Sequence, residues 1–364
     1  MEVLADGFVF ENAYQKGIRR YLEELLRRVD VPFSIFLEGP PVGALPHEWR
    51  VVGPLGPSPA SKLDLANRWK YRERAKKWRK EIQSHSVFHT SYFRPCPIPG
   101  VPSVVVVHDM VYELMPNMFY GDAGVVASYK KNAMGNAAAI IAISESTKSD
   151  LVKIYPEFSG KVHVIPHGTD HFAIANSPED SNRQLGKAVE PYALFVGHRS
   201  GYKNFQTLLD ALQCEAWPRE LRLKVIGPKF DQAEILNLQA RGLCNQVEYL
   251  QYLTDHELFL AYEMASVFVF PSFFEGFGFP LLEAQSRRVP VAASDIPIFH
   301  EVGGGAFVKF DPRSPTSLAL AVCQTLEKTN RHALIQGGLD NVKRFTWAET
   351  ARKTLTLWDL CSKK

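Results

Sequence analysis

The sequence predicts two successive α/β domains, each built on a doubly wound parallel sheet. Three observations carry that prediction. Short β-branched or aromatic runs take turns with helical runs along the whole chain. Runs such as SVVVVHD are apolar throughout, the mark of a parallel strand covered on both faces. A polar stretch without hydrophobic period then breaks the series in two near its middle.

The first series predicts a domain over residues 1–173. It reads MEVLADG as a strand, GIRRYLEELLRR as a helix, FSIFLE as a strand, then a basic segment, then the strands SVFHTSY and SVVVVHD. YGDAGVVASYKKNAMGNA follows as a helix, AIIAIS as a strand, ESTKSDLVKIY as a helix that Ser144 or Ser146 is placed to cap, and VHVIPHG as a strand. Residues 174–190 read as a linker or surface loop. A second domain over 191–345 contains six strands, YALFVGH, LRLKVIG, QVEYLQYL, VFVFPS, VPVAAS and AFVKF, with a short loop-rich step between the last two. Thr254 and Glu257 form a capping box before the helix DHELFLAYEMA. Residues 346–364 hold one more amphipathic helix, FTWAETARKTLTLWDL. Two such domains predict a two-lobed molecule with a cleft.

Composition bounds the function. The 364 residues are 46% hydrophobic and 22% charged, enough for about two domains with real cores. Apolar stretches fall far short of the ~20 residues that cross a bilayer, and the N-terminus lacks a signal-peptide pattern, so a cytoplasmic location is expected. The five cysteines stand singly, with no CxxC, which argues against a disulfide framework or a zinc site; they are expected to be reduced and mostly buried. The net charge of +3 hides a local +6 over residues 68–81, RWKYRERAKKWRKE, with the remainder near −3. A nucleic-acid binder would spread basic charge over a whole face, so nucleic acid is excluded as a partner.

Ligands of open α/β sheets bind outside the carboxyl ends of the strands. After VFVFPS, the glycines Gly276 and Gly278 loosen a loop between Glu275 and Glu283, and Pro280 suits a helix start whose N–H groups and dipole would receive a phosphate. Glu275 in that loop and Glu283 in the first helical turn would face a sugar and a ribose across one diphosphate, or else are solvated carboxylates. Arg199 and Lys203 after YALFVGH would clamp a diphosphate, or form an exposed basic turn. Gly227, ending another strand, would let a base or ribose approach the backbone. In the first domain His108 and Asp109 end a strand; His108 would meet the transferred sugar or its acceptor, and Asp109 is an alternative cap for the next turn. Gly17, beside Lys16, opens a helix as a second candidate phosphate contact. His167 and Gly168 read as a turn or hinge. Asp-x-Asp, GxxxxGK[ST], GxGxxG and GxSxG are all missing, so metal-clamped donors, P-loops, dinucleotide folds and hydrolase elbows lack support.

The run EGFGFPLLE over residues 275–283, with FVFPS before it and Pro290, Val291, Glu301, Val302 and Gly303 after it, resembles the Glu-x7-Glu signature of family-4 retaining glycosyltransferases of GT-B fold. VHVIPHGTD, FVGH…KN, LKVIG, VEYLQYLTDHEL, VVVVHD and FTWAETA extend the resemblance over both domains. It implies two Rossmann-like domains, with a final helix that packs back on the first. By the same resemblance Glu275 contacts the donor sugar, Glu283 the ribose, and the backbone around Phe277, Gly278 and Phe279 the phosphates. Arg199 and Lys203 bind the diphosphate, His108 is the active-site histidine, and Gly17 belongs to the first-domain loop. Lys16 stands where the family often has another glycine.

The expected function is transfer of a sugar, with retention and without metal or cofactor, from a nucleotide-diphosphate donor to a hydroxyl of a glycan or lipid-linked acceptor. HDMVYELMP and VGHRSGYKN are most similar to bacterial polysaccharide-assembly members using GDP-mannose, with UDP-sugars open. A sugar-nucleotide 2-epimerase of the same fold and a silent sugar-nucleotide-binding subunit are the alternatives. In the basic segment Arg68, Lys70, Arg72, Arg74, Lys76, Lys77, Arg79 and Lys80 surround Trp69, Tyr71 and Trp78, which suits an anionic membrane surface or a solvated helix beside the acceptor.

Overall fold

The structure, a computed structural model, describes residues 1–11, 16–53, 84–119, 123–172, 190–199, 201–250 and 253–363. The basic segment 68–81 and nearly all of the expected linker 174–190 lie outside the described residues. The chain divides into two compact units, Met1–Gly168 with Trp347–Lys364, and Thr169–Thr346.

Among the described residues the first unit carries seven strands: β1 (Val3–Asp6), β2 (Phe33–Phe36), β3 (Arg50–Val52), β4 (Val87–Thr90), β5 (Ser103–Val107), β6 (Ala139–Ala142) and β7 (Val162–Val164), in the order β3-β2-β1-β4-β5-β6-β7. The second carries six: β8 (Tyr192–Val196), β9 (Arg222–Ile226), β10 (Val247–Leu250), β11 (Val267–Phe270), β12 (Val291–Ser294) and β13 (Val308–Phe310), in the order β10-β9-β8-β11-β12-β13. Every pairing in both sheets is parallel. Strand direction of growth reverses between β1 and β4 in the first sheet and between β8 and β11 in the second, which makes those two points the ligand crevices of the fold. The central strands β5, β11 and β12 are buried at every position, as their unbroken apolar runs require.

Local signals set the helix boundaries. Ser144, not Ser146, caps helix Glu145–Ile154 by accepting from Thr147 N, and Thr254 and Glu257 make both bonds of their capping box. Three elements depart from the sequence expectation. Strand β3 has three residues, too few for a periodic signal, and is held by its edge position beside β2. The step between β12 and β13 contains a short helix, Pro297–Gly303. A further helix, Lys328–Val342, includes Gly337 and Gly338, which read locally as breakers. There the glycines serve close packing: a Cβ on Gly338 would stand 3.0 Å from Gln285 Cγ, and one on Gly337 3.2 Å from Ala306 Cβ. At that contact Asn341 donates to Gln285 and to the Val302 carbonyl, while Gln285 donates to the carbonyls of Gly303 and Ala306. This buried amide network fixes helix Phe279–Ser286, which carries Glu283.

None of the five cysteines is in a disulfide, but only Cys361 is buried; Cys244 is exposed and the other three are half-buried. No described helix is long and apolar enough to cross a membrane.

The last helix, Trp347–Ser362, completes the core of the first unit. Trp347 and Trp358 are fully buried, and Trp358 Nε1 donates to Nδ1 of His89 in β4 at 3.2 Å. An indole nitrogen only donates, so His89 carries its proton on Nε2, which lies 3.2 Å from the Tyr21 hydroxyl. Trp358→Ala is expected to destabilise the first unit by about 3–5 kcal/mol through the cavity it leaves, with His89 also losing its donor. Urea unfolding checks this, and a change below about 1 kcal/mol would mean that the helix does not contribute to this core.

Candidate active site

In the second unit the loops after β8, β9 and β11 meet at the carboxyl edge of the sheet. The chain leaving β8 makes one 3-10 turn, Gly201–Lys203, and then Asn204 adopts a left-handed conformation, φ 55°. Asn204 is buried, and its Nδ2 donates to the Pro271 carbonyl at 2.9 Å and the Pro312 carbonyl at 2.7 Å. Its Oδ1 accepts from Thr207 Oγ1. Phe273 N donates to the Tyr202 carbonyl, so backbone and side chain both clip this loop to the one after β11.

That clip brings Lys203 to Glu275. Lys203 Nζ and Ser272 Oγ each lie 2.7 Å from Glu275 Oε1. The ion pair is mostly shielded from water, with 18% and 10% of the two side chains exposed. Shielding strengthens its attraction and holds the carboxylate in one orientation, while the lysine, a compact point charge, can still turn toward an arriving anion. Gly278, at φ 99°, turns the loop into helix Phe279–Ser286; a Cβ there would also press on Phe299 at 3.2 Å.

Glu283 falls in the second turn of that helix rather than the first, because the helix begins at Phe279. Its Oε2 accepts from the Tyr262 hydroxyl at 2.7 Å. Tyr262 is fully buried, and burial, with Glu283 beside it, pushes its hydroxyl well above the usual range, so it stays a donor and orients the carboxylate.

Arg199 and Gly227 lie at the same edge, each in close contact with its surroundings. Arg199 forks onto Glu234 through Nε and Nη2 at 2.7 and 2.8 Å, donates to the carbonyls of Pro228 and Lys229, and stacks 4.3 Å from the Phe230 ring centre. Four of its five N–H donors are engaged by the loop and helix after β9, while Lys203 bonds Glu275. A Cβ on Gly227 would collide with the Gly197 carbonyl at 2.2 Å, so this close backbone approach requires glycine. Asn204, Ser272, Tyr262 and Glu234 were not legible as site residues; only Asn204, between a lysine turn and an apolar helix, carries a local turn signal.

In the first unit His108 follows β5. Its imidazole hydrogen-bonds the Ser91 backbone, and its Nε2 is buried without a hydrogen-bond partner among the described residues. Burial pushes its pKa down to about 4, so the ring is neutral near pH 7. Asp109 caps the following turn by accepting from Val111 N at 3.1 Å. The buried Lys130 donates to the Asp109 carbonyl and to Glu113, both at 2.9 Å, and so fixes the loop that carries His108. Tyr21 packs 5.6 Å from His108 and 4.6 Å from His167, which is buried, and the boundary between the two units falls directly after Gly168. Gly17 is the second residue of helix Lys16–Leu26, and nothing lies within 4 Å of where its Cβ would be.

Residues 15–171 match the family model described as Glycosyltransferase Family 4, and residues 176–339 match Glycosyl transferases group 1. The sheets and the matches together define the class, a glycosyltransferase of GT-B fold. Within it, the chain belongs to family 4. It is 29% identical over 236 residues to O-antigen chain mannosyltransferase B of Escherichia coli, a match covering 63% of this chain and 62% of that protein. It is also 29% identical over 209 residues to O-antigen chain mannosyltransferase RfbU of Salmonella typhimurium, covering 55% of this chain and 56% of that one. The chain thus spans about three-fifths of the length of these relatives. Sucrose-phosphate synthase from Thermosynechococcus elongatus shares the fold with a TM-score of 0.75 at 20% identity, over 99% of this chain and 98% of that one. Anabaena HepE, solved with UDP and glucose, shares it with a TM-score of 0.73 at 19% identity, over 99% of both chains.

The buried histidines predict a pH dependence of stability. Burial lowers His108 to about 4, His89 to about 3, and His167 in the same direction. The unfolded chain takes up these protons from about pH 6.5 downward and the folded chain does not, so stability is lost as pH falls. Asp6 opposes this, since burial raises it to about 6 and its ionisation cost is relieved on acidification. From pH 7 to 5, His89 and His108 each cost about 2 kcal/mol and Asp6 returns about 1, a net fall of about 3 kcal/mol. Melting curves across that range check it: His89→Gln is expected to flatten the slope, and a parent whose stability is level from pH 7 to 5 would contradict it.

Proposed function

We propose that this chain transfers a sugar from a nucleotide-diphosphate donor to a hydroxyl of a glycan or lipid-linked acceptor, with retention of configuration and without a metal. The observation that carries the reading is the Lys203–Glu275 pair beside the Gly278-headed helix with Glu283, all at the crevice point of the second sheet. Glu275 would accept hydroxyls of the donor sugar and Glu283 those of the ribose. Lys203, with the positive end of helix Phe279–Ser286, would take the diphosphate. Arg199 would act from behind, holding the loops after β8 and β9 together through Glu234. In the reaction the bond from the anomeric carbon to the phosphate oxygen breaks, the acceptor oxygen bonds to that carbon on the same face, and the acceptor proton leaves with the departing phosphate.

GDP-mannose is the favoured donor, supported by relatives that are O-antigen mannosyltransferases. The same likeness favours a role in polysaccharide or O-antigen assembly at the cytoplasmic face of a membrane, where the basic segment 68–81 would meet anionic lipid.

The test incubates the protein in EDTA with GDP-mannose, UDP-glucose and UDP-N-acetylglucosamine, reading thermal shift and slow donor hydrolysis. A selective response to GDP-mannose is expected. Lys203→Ala and Glu283→Ala should each reduce turnover by about 10²–10³. If no donor shifts the melting point and Glu283→Ala behaves as the parent, the transferase reading falls.

A further inference from the structure

At the carboxyl edge of the first sheet, where β1 and β4 meet, a second set of charged groups has a composition the donor chemistry does not use. Asp6 ends β1 and is fully buried. Its Oδ2 accepts from Thr90 Oγ1 at the end of β4 at 2.9 Å, and its Oδ1 accepts from Phe8 N and lies 3.2 Å from Arg94 Nη1. Arg94 Nη2 lies 3.1 Å from Glu11 and 3.8 Å from Glu38. One guanidinium therefore serves three carboxylates, and its positive charge is more than neutralised. Beside it Phe8 and Tyr92 stack with ring centres 4.9 Å apart and planes 4° from parallel, and the guanidinium lies 5.0 Å from the Phe8 centre.

A second observation points to a ligand. The segment from Thr90 to Arg94 that builds this cluster also holds His108, whose imidazole bonds the Ser91 backbone. The Nε2 atom of that ring is buried, without a partner among the described residues, and carries a lone pair, since the neutral ring spends its proton on the backbone carbonyl. Ser91 Oγ, also buried, has no partner among the described residues either. The groups collected here are thus mainly acceptors, and the one strong donor, Arg94, is already engaged. Such a set calls for a ligand that brings hydroxyl donors and an apolar C–H face for an aromatic ring. It disfavours a ligand that brings negative charge.

We propose that this edge, through Glu11, Glu38, His108 and the Phe8–Tyr92 stack, binds the acceptor as a neutral, hydroxyl-rich sugar unit and rejects acceptors phosphorylated on that unit. The inference rests on the transferase reading and names the acceptor class for it.

Ligand-observed NMR titrations of the full chain test it, using methyl α-mannoside, methyl α-glucoside and methyl β-N-acetylglucosaminide against mannose 6-phosphate and glucose 6-phosphate. At least one neutral glycoside should bind about 10-fold more tightly than either phosphate, and Glu11→Gln should weaken it about 10-fold, the scale of one hydrogen bond to a charged group. Glu38→Lys, on the exposed rim, gives a second readout and should narrow the gap between neutral and phosphorylated sugars. Phosphorylated sugars binding as well as neutral ones, or neutral binding untouched in both variants, overturns the inference. Parallel titrations with GDP and UDP separate the two readings. Nucleotide binding without any neutral-sugar binding overturns the acceptor class alone, whereas binding of neither overturns the transferase reading with it.

Discussion

Because every strand in both sheets pairs in parallel, the chain must return to the same end of the sheet after each strand, and all carboxyl ends open on one edge. Chemistry-bearing residues are thereby gathered without being near in sequence. Lys203 and Glu275 are separated by 72 positions yet share a bond of 2.7 Å, since β8 and β11 are neighbours and Asn204 pins their loops together. The same topology covers the central strands on both faces, which is why β5 and β11 are nearly unbroken apolar runs, while polar groups such as Asp6 and Thr90 stand at the carboxyl ends of β1 and β4. Function is left to the loops.

Within those loops the charges are arranged in advance of any ligand. Glu275, Glu283 and Asp6 each accept from a fixed side-chain donor: Ser272, Tyr262 and Thr90. A carboxylate already oriented in a half-dry setting loses little freedom when a hydroxyl reaches it. The two cations after β8 are treated differently. Arg199, with its planar fork, is matched to one carboxylate and two carbonyls and becomes part of the framework. Lys203 makes a single directional contact and can be drawn away by a phosphate.

The first unit shows how a segment from the end of the chain becomes part of the beginning. Trp358 reaches His89 across 269 positions, and the bond fixes which nitrogen of that histidine is protonated. The Tyr21 ring, held by the same histidine, lies against His108 and His167, so three histidines are kept dry and neutral around one tyrosine.

Much of this architecture was legible in the residues alone. Unbroken apolar runs, the Thr254–Glu257 box and the glycines around Glu275 determined the two α/β units, their strands along the chain apart from β3, and the helix start that follows β11. These are local signals, set by backbone conformation and periodicity within a few residues. Tertiary structure alone decided that Arg199 belongs to Glu234, that Gly227 makes room for the Gly197 carbonyl, that Gly337 and Gly338 lie inside a helix, and that Asp6, Glu11 and Glu38 converge on Arg94. Each depends on which loops become neighbours when strands pair. A charged side chain has the same local sequence whether it ends in water or in an ion pair, so its partner is fixed only by the folded sheet.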